Sequence, residues 1–152
     1  MNPDYIFNIR VTGILIENNE ILIVRQKLSE SREWSLPGGR LERGETLEQG
    51  LKRELKEETG LDVQVDQLLY LCDVNVSNNT ILHITFLVSR TGGELTLPTN
   101  EYDTNPIHDV KFVSVDELSD YGFSERFIQL IKQGFPKHGN YAGDKKNIGL
   151  DI

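Results

Sequence analysis

The chain has 152 residues, a net charge of −8, 38% hydrophobic residues and 26% charged residues, which together fit one globular domain. Its single cysteine, Cys72, excludes an internal disulfide, and no apolar run reaches the length of about 18 residues that a membrane span needs. The acidic balance argues against a nucleic-acid polymer as partner. Because the first residues lack the features of a signal peptide, we expect a cytoplasmic protein.

The chain begins with a predicted hairpin. Two segments rich in Ile, Val and Leu, residues 5–17 and 20–26, flank Asn18-Asn19, a pair typical of tight turns. A polar loop over residues 27–35 follows. Pro37, Gly38 and Gly39 then predict a turn whose backbone can approach a ligand closely.

A helix is predicted over residues 46–59. Thr46 and Gln49 have the spacing of a capping box, in which the hydroxyl and the amide each bond to a backbone N–H. Gly60 suits the left-handed position that ends many helices. Both ends of this helix are therefore specified locally.

Three glutamates, Glu54, Glu57 and Glu58, lie late in this helix at spacings of three and four residues. On a helical wheel with Leu47 at zero, Glu54 and Glu58 fall within roughly 20° of that leucine, on the apolar side, and Glu57 flanks it at roughly 80°. The usual alternative, a solvated acidic face, fits poorly because the lysines mark the opposite side. Half-buried carboxylates need compensation, and a divalent cation can provide it.

Strands and a second helix follow. Patterning predicts strands at residues 63–76, 81–90 and 107–115, a turn at 91–93 before a short piece at 94–97, and a helix at 124–133 that Ser124 caps and Gly134 ends. This order favours an α/β fold with a mixed β-sheet sandwiched between helices in three layers. We expect one domain over residues 1–134 and a C-terminal tail over 135–152, packed or disordered. Residues 147–152 are a candidate edge strand or a contact with a partner subunit.

The segment from Gly39 to Leu61 resembles the Nudix box, G-x5-E-x7-R-E-U-x-E-E-x-G-U, in which U is apolar. All the fixed positions match without departure: Gly39, Glu45, Arg53, Glu54, Leu55, Glu57, Glu58, Gly60 and Leu61. The resemblance implies the Nudix fold and a pyrophosphohydrolase that cleaves a nucleoside diphosphate linked to another moiety, with Mg²⁺ or Mn²⁺ as cofactor.

The resemblance also implies roles for residues. The metal ligands would be the Gly39 carbonyl with Glu54, Glu57 and Glu58, and the first two of these glutamates would act in catalysis with Arg53. Glu45 and Gly60 would be structural. The general base varies within the family, and in the polar loop over residues 99–106 we prefer Glu101 to Asp103. Arg25 and Arg40 are candidate phosphate contacts, with ordinary surface charge as the alternative.

The expected partner is a small-molecule nucleotide: a nucleotide sugar, a dinucleoside polyphosphate or a modified nucleoside triphosphate. The alternative is a non-catalytic nucleotide sensor on the same fold, although no box carboxylate is lost. A prenyl diphosphate isomerase would need a catalytic cysteine, and Cys72 lies in a predicted strand, where a core position is expected. His83 is expected to be a partly exposed structural histidine, Trp34 a packing residue, and a homodimer stays open.

Overall fold

The computed structural model describes residues 8–26, 32–98 and 106–150. It contains eight strands, two α-helices and two 3₁₀ turns in these ranges. The elements are β1 (Asn8–Glu17), β2 (Glu20–Arg25), β3 (Trp34–Ser35), β4 (Gly38–Arg40), α1 (Leu47–Thr59), β5 (Leu61–Val76), β6 (Asn79–Gly93), β7 (Asp109–Ser114), a 3₁₀ turn (Val115–Tyr121), α2 (Glu125–Lys132), β8 (Asn140–Asp144) and a second 3₁₀ turn (Lys145–Ile148). None of the helices in these ranges is both long and apolar enough to cross a bilayer.

The sheet is mixed and follows the order β3-β2-β1-β6-β5-β8, with β4 added to β1 and β7 added to β2. Strand β1 runs parallel to β6, whereas β2 and β4 run antiparallel to β1. The long β5–β6 hairpin provides the most extensive pairing, from Val76 opposite Asn79 to Leu61 opposite Gly93. The predicted mixed sheet is therefore confirmed.

The two helices pack against different sets of buried side chains. Leu51 and Leu55 of α1 belong to a cluster with Leu15 of β1. Phe127 of α2 belongs to another cluster, which contains the adjacent β1 residue Ile14. Because neighbouring residues of a strand point to opposite faces, this division places the sheet between the two helices. The three-layer prediction is confirmed.

The predicted ends of the first helix are also confirmed. Thr46 accepts a hydrogen bond from the Gln49 N–H at 3.1 Å, and the Gln49 side chain accepts from the Thr46 N–H at 2.9 Å. Gly60 adopts a left-handed conformation with φ of 80° and ends the helix. The capping box and Gly60 together determine where α1 begins and ends, and so which side chains of its last turns point toward the sheet.

Several predicted boundaries were wrong. The turn expected at residues 91–93 continues strand β6, because Gly92 pairs with Asp62 and Gly93 with Leu61. In the C-terminal segment the edge strand is β8, which pairs in parallel with β5 through Tyr70–Asp73, whereas residues 147 and 148 belong to the second 3₁₀ turn. Ile148 and Leu150 are buried against the core. The domain boundary at residue 134 stays a prediction.

Candidate active site

The late turn of α1 lies against the glycine-rich strand β4. The Gly38 N–H donates to the Glu58 carboxylate at 3.2 Å, and β4 is held in place by pairing with Val11 and Thr12 of β1. A Cβ atom on Gly39 would lie 2.5 Å from the carboxyl carbon of Glu54, too close for any side chain. Glycine at this position therefore leaves room for the Glu54 carboxylate against β4, and any other residue would displace that carboxylate.

Arg53 holds the acidic groups of the helix and of the preceding loop together. Its Nε and Nη2 donate to Glu45 at 2.7 and 2.9 Å, and its Nη1 donates to Glu54 at 2.9 Å and to Glu57 at 3.3 Å. Nη2 also donates to the carbonyl oxygen of Arg40 at 3.1 Å. One guanidinium thus links the loop, strand β4 and two of the three glutamates.

The ionisation of these groups follows from their surroundings. The hydrogen bond from Arg53 and that from the Glu42 N–H lower the pKa of Glu45, and the bonds to Glu45 raise the pKa of Arg53. Burial raises the pKa of Glu54, against the opposing effect of Arg53. Burial and the nearby charge of Glu54 raise the pKa of Glu58 to about 8. The site is therefore short of positive charge on the Glu58 side.

The helical-wheel prediction of which glutamates turn inward is confirmed. The Glu54 side chain is 16% exposed and that of Glu57 is 61% exposed, whereas Glu58 is largely buried beside Gly38. Glu54 and Glu58 thus face the sheet, and Glu57 lies at the rim, as expected for a residue that flanks the apolar side of the helical wheel.

The carboxylates of the site are not arranged as a closed set of metal ligands in the described residues. Within residues 8–26, 32–98 and 106–150, no three carboxylate, imidazole or thiol side chains converge closely enough to hold a metal ion. Arg53 donates to Glu54 and Glu57, while the Gly38 N–H donates to Glu58. The residues nevertheless fit a hard divalent cation, because the ligands are all oxygens and the buried carboxylates are short of compensating charge.

The other predicted site residues fall in different places. Arg25, at the end of β2, pairs with Glu33 at 3.2 Å, with both side chains exposed, and its role as a phosphate contact stays a prediction. The Arg40 side chain is exposed, and only its carbonyl joins the site. Glu101 and Asp103 lie outside the described residues.

The remaining sequence predictions have mixed outcomes. Trp34 is a packing residue, as expected: its ring meets Tyr121 edge to face, with centroids 5.2 Å apart. Cys72 is buried, and burial raises the pKa of its thiol to about 11, which does not suit a nucleophile. His83 is not partly exposed but buried, with 3% of its surface accessible, and it lines a cleft beside Glu58.

Sequence reasoning missed the residues that complete this cleft. Besides His83, they include Arg10 and Thr12 of β1 and Lys145 after β8. Arg10 lies opposite His83 across the parallel β1–β6 pair. The one signal in the sequence was an arginine within an apolar strand, which by itself does not distinguish a site from a surface position.

Comparison with known proteins agrees with this geometry. The family model for the NUDIX domain matches residues 7–132. An ADP-ribose pyrophosphatase of Methanocaldococcus jannaschii is 38% identical over 90 residues, covering 57% of this chain and 53% of that protein. Putative nudix hydrolase 1 of Caenorhabditis elegans is 31% identical over 127 residues, covering 81% and 33%. The chain thus spans about half or less of the length of these two relatives.

Solved structures share the fold. A NUDIX hydrolase from Nitrosomonas europaea superposes with a TM-score of 0.69 and 20% identity, covering 92% of this chain and 81% of that one. A UDP-X diphosphatase superposes with a TM-score of 0.68 and 23% identity, covering 90% and 68%. At these identities the likeness supports the arrangement of strands and helices and not a substrate.

Proposed function

The chain belongs to the Nudix family, and on that basis we propose that it hydrolyses the pyrophosphate bond of a nucleoside diphosphate linked to another moiety. The observation that carries the proposal is that Glu54 and Glu58 both turn inward beside strand β4, where Arg53 donates to Glu54 and the Gly38 N–H donates to Glu58. Carboxylates in such a setting need a cation, and an anionic substrate needs the same cation.

The residues proposed to hold the ion, Mg²⁺ or Mn²⁺, are Glu54, Glu57, Glu58 and the carbonyl of Gly39. When bound, the ion supplies charge neutralisation and polarisation of the phosphate oxygens. The chain's own residues prepare for this. Burial keeps Glu58 in a weakly hydrated position, and Gly38 orients its carboxylate through the 3.2 Å hydrogen bond.

Arg53 is proposed to position the carboxylates. Its two bonds to Glu45 fix the plane of the guanidinium, which leaves Nη1 pointing at Glu54 and Glu57. If Glu54 and Glu57 move to bind the cation, Arg53 keeps its two hydrogen bonds to Glu45. Its position therefore does not change, and the two glutamates can bond to it again when the cation leaves. Glu101 is proposed to remove the proton from the attacking water, on the sequence pattern alone.

The test is product analysis with purified protein, Mg²⁺ or Mn²⁺, and a panel of nucleotide sugars, dinucleoside polyphosphates and oxidised nucleoside triphosphates. We expect metal-dependent release of a nucleoside phosphate product from at least one class. Ligand binding with no product from any class would instead favour a nucleotide sensor.

A matched pair of variants on one helix sharpens the test. Glu57→Gln should lower turnover by at least about a hundredfold, since it removes a proposed ligand at the rim of the site. Glu48→Gln, which disturbs only an exposed pair with Lys52 at 3.1 Å, should leave turnover unchanged. Full activity of Glu57→Gln would refute its metal role.

A further inference from the structure

A cleft with a cavity volume of about 180 Å³ lies next to the proposed metal centre. Gly38 and Glu58, beside the proposed metal ligands, line it, and so do Ile81 and His83 of β6 and Leu150 of the C-terminal segment. A substrate whose phosphates are held at the metal centre therefore has its remaining parts within reach of β6.

The strand register separates His83 from Gly38. Gly38 pairs with Thr12 on one side of β1, whereas His83 pairs with Arg10 on the other side. Two strand spacings and two residues of rise put the backbones of Gly38 and His83 about 12 Å apart. A substrate group at His83 is therefore not the group that lies at Gly38.

His83 is a buried polar group without a protein partner. It is 3% exposed, and within the described residues neither ring nitrogen has a hydrogen-bond partner. The only other buried side-chain atom in this condition among the described residues is Asn8 Oδ1. Asn8 pairs with Ile81, two residues before His83, so the two side chains lie on one face of neighbouring strands. Unpaired buried polar atoms cost free energy, and here they are concentrated at one place, where a ligand can pair with them.

Most of these unpaired atoms are hydrogen-bond acceptors. Burial, and then the nearby charges of Lys145 and Arg10, lower the pKa of His83 to about 3, so the imidazole is neutral. A neutral imidazole carries one N–H donor and one acceptor nitrogen, and Asn8 Oδ1 is a second acceptor. The ionised phosphates of a nucleotide present acceptor oxygens, which would leave these acceptors unpaired, and the Glu58 carboxylate lines the same cleft. An uncharged N–H or O–H group pairs with them instead.

Apolar side chains also line the cleft, among them Leu36, Ile81 and Leu150. Leu150 is 3% exposed. Pockets for small molecules typically combine apolar walls with a small number of polar groups that fix the orientation of the ligand. His83 has the position and the burial of such a group.

We propose that His83 is a specificity-determining residue, which accepts a hydrogen bond from an uncharged N–H or O–H group of the substrate away from its reacting phosphates. The proposal rests on the proposed function and names what the same site recognises beyond the pyrophosphate bond. Two parts of a nucleotide can supply such a donor: the edge of a nucleobase and a sugar hydroxyl. A phosphate chain without a nucleoside or a sugar does not satisfy His83.

The first experiment measures binding without hydrolysis. NMR follows the ring nitrogens of His83 in the full chain while nucleoside 5′-monophosphates, ribose 5-phosphate or inorganic phosphate are added with Mg²⁺. None of these probes contains a pyrophosphate bond. We expect a saturable shift of the unprotonated His83 nitrogen with at least one nucleotide and none with inorganic phosphate. A shift with ribose 5-phosphate as well assigns the donor to the sugar, and a shift with nucleotides alone assigns it to the base.

No shift with any nucleotide, or an equal shift with inorganic phosphate, would overturn the proposal. The measurement needs no turnover. A His83 shift in a protein that hydrolyses no nucleotide would therefore support the role of His83 and count only against the proposed hydrolysis.

Two variants at His83 separate hydrogen bonding from packing. His83→Leu removes both nitrogens, so thermal stability should be unchanged or higher, whereas calorimetric affinity for the nucleotide that shifts His83 should fall about tenfold. His83→Gln keeps an uncharged acceptor and should recover part of that affinity. His108→Leu, at an exposed histidine outside the cleft, is the matched control and should bind like the wild type. Wild-type affinity in a folded His83→Leu protein contradicts the assignment.

The second experiment uses a substrate that the product analysis identifies. His83→Leu should raise KM about tenfold and lower kcat by much less, because the lost hydrogen bond is made in the ground state as well as in the transition state. An unchanged KM in a folded variant that retains turnover would refute the role of His83 and leave the proposed hydrolysis intact.

Discussion

Arg53 donates two hydrogen bonds to Glu45, at 2.7 and 2.9 Å, and so ties the loop before α1 to the second turn of the helix. The same guanidinium reaches Glu54 at 2.9 Å, and the three side chains are no more than 21% exposed. Glu45 therefore affects the site indirectly, because it orients Arg53, and Arg53 in turn orients the Glu54 carboxylate.

We predict that Arg53→Lys lowers both stability and activity, although the substitution keeps the positive charge. A lysine ammonium is a point donor and cannot hold Glu45 with two bonds while reaching Glu54. The free energy of unfolding should fall by about 1–3 kcal/mol, with a loss of kcat/KM on any substrate found. Urea denaturation and steady-state kinetics measure both, with Arg43→Lys in the exposed loop as the control. Wild-type behaviour of Arg53→Lys would mean that the fork geometry does not matter.

A second prediction concerns the close approach at Gly39. An alanine there would place its Cβ 2.5 Å from the Glu54 carboxyl carbon, so the carboxylate must move away and affinity for Mn²⁺ should fall. Isothermal titration with Mn²⁺ measures the change. Gly92→Ala is the matched control, because a Cβ there lies at an ordinary 3.5 Å from Asp62. Equal Mn²⁺ affinity in both variants would contradict the prediction that the close approach at Gly39 fixes the Glu54 carboxylate for metal binding.

The third prediction is a pH dependence of stability without metal. Burial and Glu54 raise the pKa of Glu58 from 4.5 to about 8, so the folded state retains a proton that the unfolded state has lost. Folding stability must then fall as pH rises toward 8, by about 2 kcal/mol between pH 6.5 and 8. His83 acts weakly in the opposite sense, because its pKa is 6.5 when unfolded and about 3 when folded, so loss of the unfolded state's proton raises stability by about 0.4 kcal/mol over the same range.

Chemical denaturation in EDTA at several pH values measures this slope. Glu58→Gln should flatten it, and saturating Mg²⁺ should reduce or reverse it, since a cation bound to the ionised carboxylates stabilises the folded state. A wild-type slope that the substitution leaves unchanged would show that another group titrates.

The fourth prediction concerns Glu101, which lies outside the described residues and is chosen from the sequence. If it is the general base, Glu101→Gln should lower kcat by about a hundredfold or more with little change in KM. Asp103→Asn in the same loop should leave kcat intact. An unchanged kcat for Glu101→Gln would remove it from the reaction, and the reverse pattern would transfer the role to Asp103.

The sequence predicts local features of the site well. Thr46, Gln49 and Gly60 define the ends of α1 through interactions within a few residues, and the helical repeat then places Glu54 and Glu58 on the inner face. These inferences need no knowledge of the rest of the chain.

Long-range pairing is what the sequence does not show. Arg10 meets His83 because β1 runs parallel to β6, and Lys145 reaches the same cleft because β8 pairs with β5. The same cause explains the misplaced turn at residues 91–93, since Gly93 is held in the sheet by Leu61. The glycines indicate a turn locally, but a partner strand overrides that preference.

The parallel pairing of β8 with β5 has a consequence for how the protein may be shortened. Ending the chain at Gly134 would remove β8 and leave the backbone of β5 open at Tyr70–Asp73. Unprotected strand edges recruit other strands, so such a fragment should self-associate and precipitate rather than behave as a minimal domain. We therefore expect β8 to protect the edge of β5 from pairing with other chains, while Lys145 and Leu150 of the same C-terminal segment line the cleft.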